Sequence, residues 1–299
     1  MEFLTDPLQF GFMQNALVVA IVASVVCSLL SCWLVLMGWS LMGEAVAHSI
    51  LPGVVLASLF GAPLAVGAFI FGMGAVLLIG GISTSTTLKR DTAIGIVFTT
   101  LFALGIVLIS RAPSETHLQH ILFGNVLGTS TADLLQVSGL GALIVIVLLT
   151  LRRNFVLLAF DRLHAVSLGM SPGRWSILLL MLLALTAVTA LQTLGVILVV
   201  AMLVIPGATA AMLTRTFGPM LWISCSSAVL SAITGVYLSY WWDLSTSGCI
   251  VLAQSAQFGL AYLLAPRKGL ISTWRRASAH PNRLVPNTAA GQSSSPAAT

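Results

Sequence analysis

Charged residues are scarce in this sequence. Only 7% of its 299 residues are charged and 58% are hydrophobic, whereas soluble domains average about 25% charged residues. So few charges cannot cover a surface that faces water, and the composition therefore predicts a protein surrounded largely by lipid. The net charge of +5 does not indicate nucleic-acid binding, because the basic residues lie between apolar segments and not in one patch.

Several catalytic and cysteine motifs are also missing. There is no HExxH motif and no Walker P-loop of the form GxxxxGK[ST], so the chain has no Walker motif of its own with which to hydrolyse ATP. Glu2 and Asp6 stand where a signal peptide carries positive charge, and no cleavable signal is expected. The cysteines form no CxxC pair and are interpreted as small apolar core residues, not as disulfides or a zinc site. They are Cys27, Cys32, Cys225 and Cys249.

Long apolar runs, in contrast, occupy most of the chain. A helix that crosses a bilayer needs about 20 mostly apolar residues. Lipid offers no partner for unpaired backbone groups, so such runs must be helical. They predict an all-α fold, a polytopic transmembrane helix bundle of eight or nine spans. The runs are roughly 14–37, 39–60, 64–84, 92–110, 133–151, 175–191, 193–213, 218–240 and 248–266.

The number of spans depends on residues 175–213, which hold either two short spans or one long helix with a re-entrant piece. Basic residues concentrate on the cytoplasmic side of membrane proteins. Nine spans with the N-terminus outside leave only Arg111 on the outer side, whereas eight spans put Arg215 and the basic C-terminal tail there. Nine spans are therefore favoured, with eight as the alternative. The nine-span arrangement places these residues in the cytoplasm: Lys89, Arg90, Arg152, Arg153, Arg162, Arg174, Arg215, Arg267, Lys268, Arg275, Arg276 and Arg283.

The composition changes near the end of the chain. Residues 1–270 form the predicted transmembrane domain, and residues 271–299 form a tail rich in Ser, Ala, Pro and Asn. Such a composition does not offset the entropy lost on ordering, so the tail is predicted to be cytoplasmic and disordered. Its basic start, Arg275 and Arg276, is expected to contact anionic lipid and not nucleic acid.

Two ionisable residues, Glu44 and His48, lie near the middle of the run 39–60. A charged group at a helix centre costs roughly 2.5–3.5 kcal/mol on insertion, so such a residue suggests a function. Residues four apart share one helix face. A carboxylate beside an imidazole is half of a site for manganese, iron or zinc, and suits calcium or magnesium less well. The same spacing is compatible with a buried pair that only ties two helices together, and two ligands do not complete a metal shell.

Other polar residues fall in predicted outer loops. Glu115, His117 and His120 follow the run 92–110. They either guide a cation in from the outside or are ordinary interfacial residues. Asp243 follows two tryptophans that are typical of an interfacial aromatic belt. It either docks a delivery partner or is merely solvated.

The longest predicted inner loop spans residues 152–174. Asp161 is a favourable cap for a helix that starts after it, and Gly169 is a favourable end in the left-handed conformation. Residues 162–168 are therefore predicted to form a short amphipathic helix along the membrane surface. Spacing alone leaves two interpretations open, a helix that only covers the bundle or a docking helix for a cytoplasmic motor.

Five motifs in order carry a family resemblance. They extend over residues 10–266, nearly the whole chain, which resembles the permease subunits of manganese, zinc and iron ABC importers. In appearance it is closest to the manganese and iron permeases. The motifs are Leu41–Gly53 with Glu44 and His48, Asp91–Ile96, Ile121–Gly128, Phe160–Asp161 with Ala165 and Gly169, and Leu194–Pro206.

The resemblance implies a multi-pass permease in a bacterial inner membrane, paired with an identical or related second permease subunit. It also implies two cytoplasmic ABC ATPase subunits and a periplasmic metal-binding protein. The coupling helix seated in the ATPase would comprise Asp161, Arg162, Ala165 and Gly169. Glu44 and His48 would line the path of transported Mn²⁺, Fe²⁺ or Zn²⁺, with no permanently bound cofactor. One departure is that the family more often has Asp where this chain has Glu44.

The predicted function is accordingly that of the permease subunit of an ATP-driven importer for divalent transition metal. It is not an enzyme itself, since ATP hydrolysis falls to the partner. A proton-linked secondary carrier that uses Glu44 is the alternative. An intramembrane enzyme or a metal sensor is a third interpretation.

Overall fold

A computed structural model of the chain describes residues 9–110, 124 and 128–265. These residues contain eleven α-helices and no strand. The predicted tail 271–299 lies outside the described residues. The helices are α1 (Gly11–Leu36), α2 (Ser40–Leu59), α3 (Leu64–Ser85), α4 (Arg90–Ile109), α5 (Thr131–Thr150), α6 (Arg152–Phe160), α7 (Arg162–Ser167), α8 (Pro172–Leu194), α9 (Val196–Leu213), α10 (Phe217–Trp242) and α11 (Thr246–Leu264).

Nine of the described helices, all except α6 and α7, are long and apolar enough to cross a bilayer. This confirms the predicted all-helical bundle. The predicted ambiguity at residues 175–213 is resolved as two helices, because α8 and α9 are separated at Gly195. The backbone there has a φ of 78°, in the region that glycine adopts without the steric cost of a Cβ. The break lies a few residues beyond the predicted one.

The interior of the bundle is built mainly by α1, α2 and α8. In the most apolar window of each of these helices 72% of the residues are buried, against 22% in α4 and α5. The outer sides of α4 and α5 carry exposed apolar residues such as Ile106, Val107 and Ile146. Such surfaces suit lipid or a neighbouring subunit, since lipid tails are as apolar as the side chains they meet.

Close backbone contact joins α2 to α3. A Cβ added to Gly53 would collide with the carbonyl group of Gly67, and a Cβ on Gly67 would collide with that of Gly53. Small residues at such crossings let two transmembrane helices approach until their backbones touch. The glycine pair therefore anchors α2, the helix that carries Glu44 and His48, against the bundle.

The segment 152–174 differs in part from the prediction. The short helix α7 ends at Ser167, one residue before the predicted end. The preceding residues form a second helix, α6, which was predicted as loop. Phe155 and Leu158 of α6 are buried, and the Phe155 ring lies 5.7 Å from that of Trp175. The prediction was wrong there because α6 is stabilised by tertiary packing, which a nine-residue apolar pattern does not indicate.

Candidate functional site

Glu44 and His48 lie on one face of α2. They are the fifth and ninth of its twenty residues, so the pair lies in the N-terminal half of the helix. Both side chains are half-buried, whereas the intervening Ala45, Val46 and Ala47 are buried. The pair is thus the partly accessible polar face of a helix whose other sides are packed.

Two phenylalanines of α4 hold the His48 ring. The ring centroids of Phe98 and Phe102 each lie 5.1 Å from that of His48, at interplanar angles of 60° and 82°. Such edge-on arrangements are favourable for aromatic rings. The His48 Nδ1 atom is buried and has no hydrogen-bond partner among the described residues. Ring contacts, and not a hydrogen bond to Nδ1, therefore position this imidazole within the described part of the chain.

The approach of α4 to α2 depends on Gly105. A Cβ at this position would lie 2.7 Å from the Leu51 Cδ2 atom and 3.2 Å from the Pro52 Cδ atom. Glycine therefore lets α4 come close enough for Phe102 and Phe98 to reach His48 from the neighbouring turns. Leu51 and Pro52 follow His48 within one turn of α2, so the same crossing positions the ring.

The described part of the chain brings two candidate ligands together at this point. Within residues 9–110, 124 and 128–265, no three His, Cys, Asp or Glu side chains form a cluster that would hold a metal ion. A carboxylate oxygen and an imidazole nitrogen are ligands that divalent transition metals accept. A complete shell at Glu44 and His48 therefore needs ligands from elsewhere, such as a second subunit or water.

The aromatic clamp is the part of the site that sequence reasoning missed. Phe98 and Phe102 have the same four-residue spacing as Glu44 and His48, which places them on one face of α4. That spacing was a usable signal, but it did not reveal that this face meets His48.

The structure gives less information about the other polar residues that the sequence indicated. Glu115, His117 and His120 lie outside the described residues. Asp243 is exposed at the end of α10 with a φ of 51°.

Helix α7 is capped as predicted. The His164 backbone N–H donates to Asp161 Oδ1 at 2.8 Å, and Gly169 has a φ of 77°. Ala165 is buried, so it faces the bundle. The other apolar side chains of this segment face away from it. Their exposed fractions are 85% for Leu163, 54% for Val166 and 61% for Leu168.

Comparison with known proteins places this architecture in context. The model of the ABC 3 transport family matches residues 9–265. A "Probable iron transport system membrane protein" of Haemophilus influenzae is 50% identical over 260 residues, covering 87% of this chain and 96% of the relative. "Manganese transport system membrane protein MntB" of a Synechocystis strain is 47% identical over 278 residues, covering 93% and 91%. "Chelated iron transport system membrane protein YfeD" of Yersinia pestis is 44% identical, covering 88% of each chain.

Solved structures share the fold. "PsaBC from Streptococcus pneumoniae in complex with Fab" superposes with a TM-score of 0.82 at 37% identity, covering 89% of this chain and 96% of the other. "An inward-facing conformation of a putative metal-chelate type ABC transporter" has a TM-score of 0.67 at 18% identity, covering 83% and 85%. At that identity the second match supports the fold alone.

Proposed function

The chain belongs to the ABC 3 transport family, and from this premise we propose that it is the permease subunit of an ATP-driven importer of manganese or iron. Zinc is the third metal that its ligands would accept. The observation that carries the proposal is the Glu44–His48 pair, half-buried on α2 with an imidazole nitrogen that has no described hydrogen-bond partner. The relatives' names point to the same two metals.

Glu44 and His48 act in this proposal as transient ligands. The metal must bind them weakly enough to leave, since a pathway site has to release its ion. The clamp of Phe98 and Phe102 keeps the imidazole in one orientation before the metal arrives, which reduces the ordering that binding requires. Glu44 has one methylene more than the Asp that is commoner in the family, so its carboxylate reaches farther from the α2 backbone.

The rest of the metal shell is assigned to a second permease subunit, either an identical chain or a related one. One chain brings two candidate ligands together in its described part. Two subunits that meet beside α2 and α4 would together present four candidate ligands. The exposed apolar side of α4, with Ile106 and Val107, suits such a contact.

Energy for transport is assigned to cytoplasmic ABC ATPase subunits, because the sequence has no Walker P-loop. Helix α7 is the proposed coupling helix. Its buried Ala165 seats it on the bundle, and its exposed Leu163 offers an apolar side chain to a partner. ATP-driven movement of the ATPase would then be transmitted as a rigid-body movement of helices. A periplasmic metal-binding protein would deliver the metal at the outer face of a bacterial inner membrane.

The test is metal uptake in cells that lack other importers, measured for manganese, iron and zinc in parallel. Glu44→Ala and His48→Ala each remove one ligand, and uptake is expected to fall on the order of tenfold or more. Permease levels and ATPase co-purification should stay unchanged. Glu44→Asp restores the commoner acid and is expected to keep uptake while shifting metal preference.

The matched control is Ser58→Ala, an exposed position on the same helix, and it should transport normally. Wild-type uptake by both Glu44→Ala and His48→Ala would remove the pair from the mechanism. Uptake that persists after deletion of the ATPase would contradict an ATP-driven importer and favour a proton-linked carrier.

A further inference from the structure

Two arginines of different helices line the same clefts at the cytoplasmic end of the bundle. Arg90 is the first residue of α4 and Arg162 is the first residue of α7. Both line a cleft of about 560 Å³ between α3 and α8. Both also line a second cleft of about 360 Å³ beside the α1–α2 turn and α6. Residues far apart in sequence thus place two guanidinium groups in one region.

Neither arginine forms an ion pair with a carboxylate of the described residues. The Arg90 guanidinium carbon lies 4.2 Å from the centroid of the Trp39 ring, and its buried Nε has no hydrogen-bond partner among the described residues. Arg162 donates from Nη2 to Ser176 Oγ at 3.3 Å. Asp91 acts electrostatically on Arg90, but within the described part of the chain no carboxylate forms an ion pair with either arginine. Two such groups are complementary to a phosphate, which arginine binds with two parallel hydrogen bonds.

The larger cleft is polar at one end and apolar at the other. Ser83 and Thr84 line it at the cytoplasmic end of α3, and Val76 and Leu77 line it about two turns deeper in the membrane. Those two turns correspond to roughly 10 Å along the helix. Leu180 of α8 extends the apolar wall. An anion without an apolar part would leave this wall unused, whereas an amphiphile would cover both ends.

We propose that the cleft between α3 and α8 binds an anionic phospholipid of the cytoplasmic leaflet. The lipid phosphate lies between Arg90 and Arg162, and an acyl chain runs along the exposed side chains of Leu77 and Ile177. Basic pockets between transmembrane helices on the cytoplasmic side are sites of this kind for anionic headgroups. Because α4 carries the phenylalanine clamp and α7 begins at Arg162, the bound lipid joins the helix beside His48 to the cytoplasmic surface helix.

The test is lipid retention by the full-length chain, purified with its co-purifying subunits. The protein is reconstituted in vesicles of equal phosphatidylglycerol and phosphatidylcholine, extracted in mild detergent, and the retained lipids are quantified by native mass spectrometry. The wild type is expected to retain phosphatidylglycerol preferentially. Arg90→Gln removes one charge near the headgroup and is expected to lower that preference about fivefold.

A second variant blocks the apolar end without touching either arginine. Gly80 lines the cleft, and a Cβ added there meets no atom within 4 Å. Gly80→Leu therefore places an apolar side chain in the cleft from a position whose Cβ has open space, and it is expected to lower lipid retention as well. Gly74→Leu is the matched control, since Gly74 is equally open and lies on the same helix outside the cleft. Arg215→Gln is the control for loss of a cytoplasmic charge. Both controls should retain lipid like the wild type.

Three outcomes would overturn the proposal. The first is equal retention of the two lipids by the wild type. The second is displacement of phosphatidylglycerol by excess inorganic phosphate together with normal retention by Gly80→Leu, which indicates a free-anion site. The third is an Arg90→Gln variant that keeps its lipid but loses its ATPase subunits, which indicates that the arginine contacts a carboxylate of that partner. None of these readouts depends on metal uptake, so they leave the proposed transport function untouched.

Discussion

At the scale of single residues, the two candidate ligands are held in different ways. His48 is fixed by two rings of α4, whereas Glu44 makes no hydrogen bond or ion pair with any described residue. A nitrogen held by ring contacts beside a carboxylate without a hydrogen-bond partner in the described part of the chain makes a site in which the imidazole is the preorganised ligand. Loss of the clamp should therefore weaken metal capture without removing a ligand.

Phe102→Ala tests this account of the clamp. An aromatic pair contributes about 0.5–1.5 kcal/mol beyond the area it buries. We therefore expect the metal concentration for half-maximal uptake to rise about three- to tenfold. The maximal rate should change less, because both ligands remain. The measurement is initial uptake across a range of metal concentrations in cells with equal permease levels.

Phe60→Ala is the matched control for that variant. Phe60 follows α2, the same helix that carries His48, but its side chain is 82% exposed and does not contact the imidazole. It should leave the uptake curve unchanged. A Phe102→Ala variant with a normal half-maximal concentration would show that the rings only fill space.

At the scale of secondary-structure elements, α7 combines a fixed position with an exposed apolar side. The Asp161 cap and the buried Ala165 fix its position, and Leu163 projects away with 85% of its surface exposed. A side chain so exposed contributes little to the stability of the isolated chain. Its replacement therefore reports on partner contacts and not on folding.

Leu163→Glu is expected to release the ATPase subunits. It places a charge in what is proposed as an apolar contact, and we expect co-purified ATPase and metal uptake to fall together on the order of tenfold. Permease abundance should not change. The measurement is the ATPase-to-permease ratio after affinity purification through a tag on the permease.

Leu88→Glu provides the comparison at another position that is predicted to be cytoplasmic, since Leu88 is also exposed, in the turn between α3 and α4. The Leu88→Glu permease should retain its ATPase subunits.

Asp161→Ala should give a milder defect than Leu163→Glu, because loss of a helix cap costs about 1 kcal/mol. Full ATPase retention by Leu163→Glu would contradict the docking role of α7.

The same element shows how far sequence reasoning extends. The cap, the start and the approximate end of α7 follow from Asp161 and Gly169, because capping is a local interaction. Helix α6 does not follow in this way, because Phe155 is buried against Trp33 and Trp175, whose rings are contributed by α1 and α8. Nine residues with two apolar anchors carry too weak a periodic signal to predict a helix without those partners.

At the scale of the whole molecule, the nine membrane-length helices of the described residues would put the two chain ends on opposite sides of the membrane. The described helices supply the count, and the basic residues of the connecting segments supply the orientation. We expect a C-terminal tag to be accessible from the cytoplasm and an N-terminal tag from the outside. Protease digestion of right-side-out and inverted vesicles measures this directly, with a cytoplasmic marker protein as the control for leakage.

A C-terminal tag that is cleaved in right-side-out vesicles would contradict the nine-span topology. It would place Arg215 and the basic C-terminal tail on the outer side, as in the eight-span alternative. Helix α7 precedes residues 175–213 and would keep its side of the membrane.

Composition and local pattern determined much of this protein. Scarce charge required a lipid environment, the apolar runs required helices, and the four-residue spacing put Glu44 and His48 on one face. These inferences succeed because each depends on hydrophobicity or on neighbours within a turn of helix. The sequence left open whether residues 175–213 form one span or two, because an apolar run does not show where the helix is interrupted. The structure places the interruption at Gly195.

Only the tertiary structure decided which helix faces meet. It brought Phe98 and Phe102 against His48, Gly53 against Gly67, and Arg90 beside Arg162 in a shared cleft. The residues of the clamp and of the arginine pair are about fifty or more positions apart in the chain. The physical reason is that the transmembrane helices are apolar on nearly every side. Hydrophobic periodicity therefore does not determine which helices pack together. Side-chain shape and close backbone contact determine it instead.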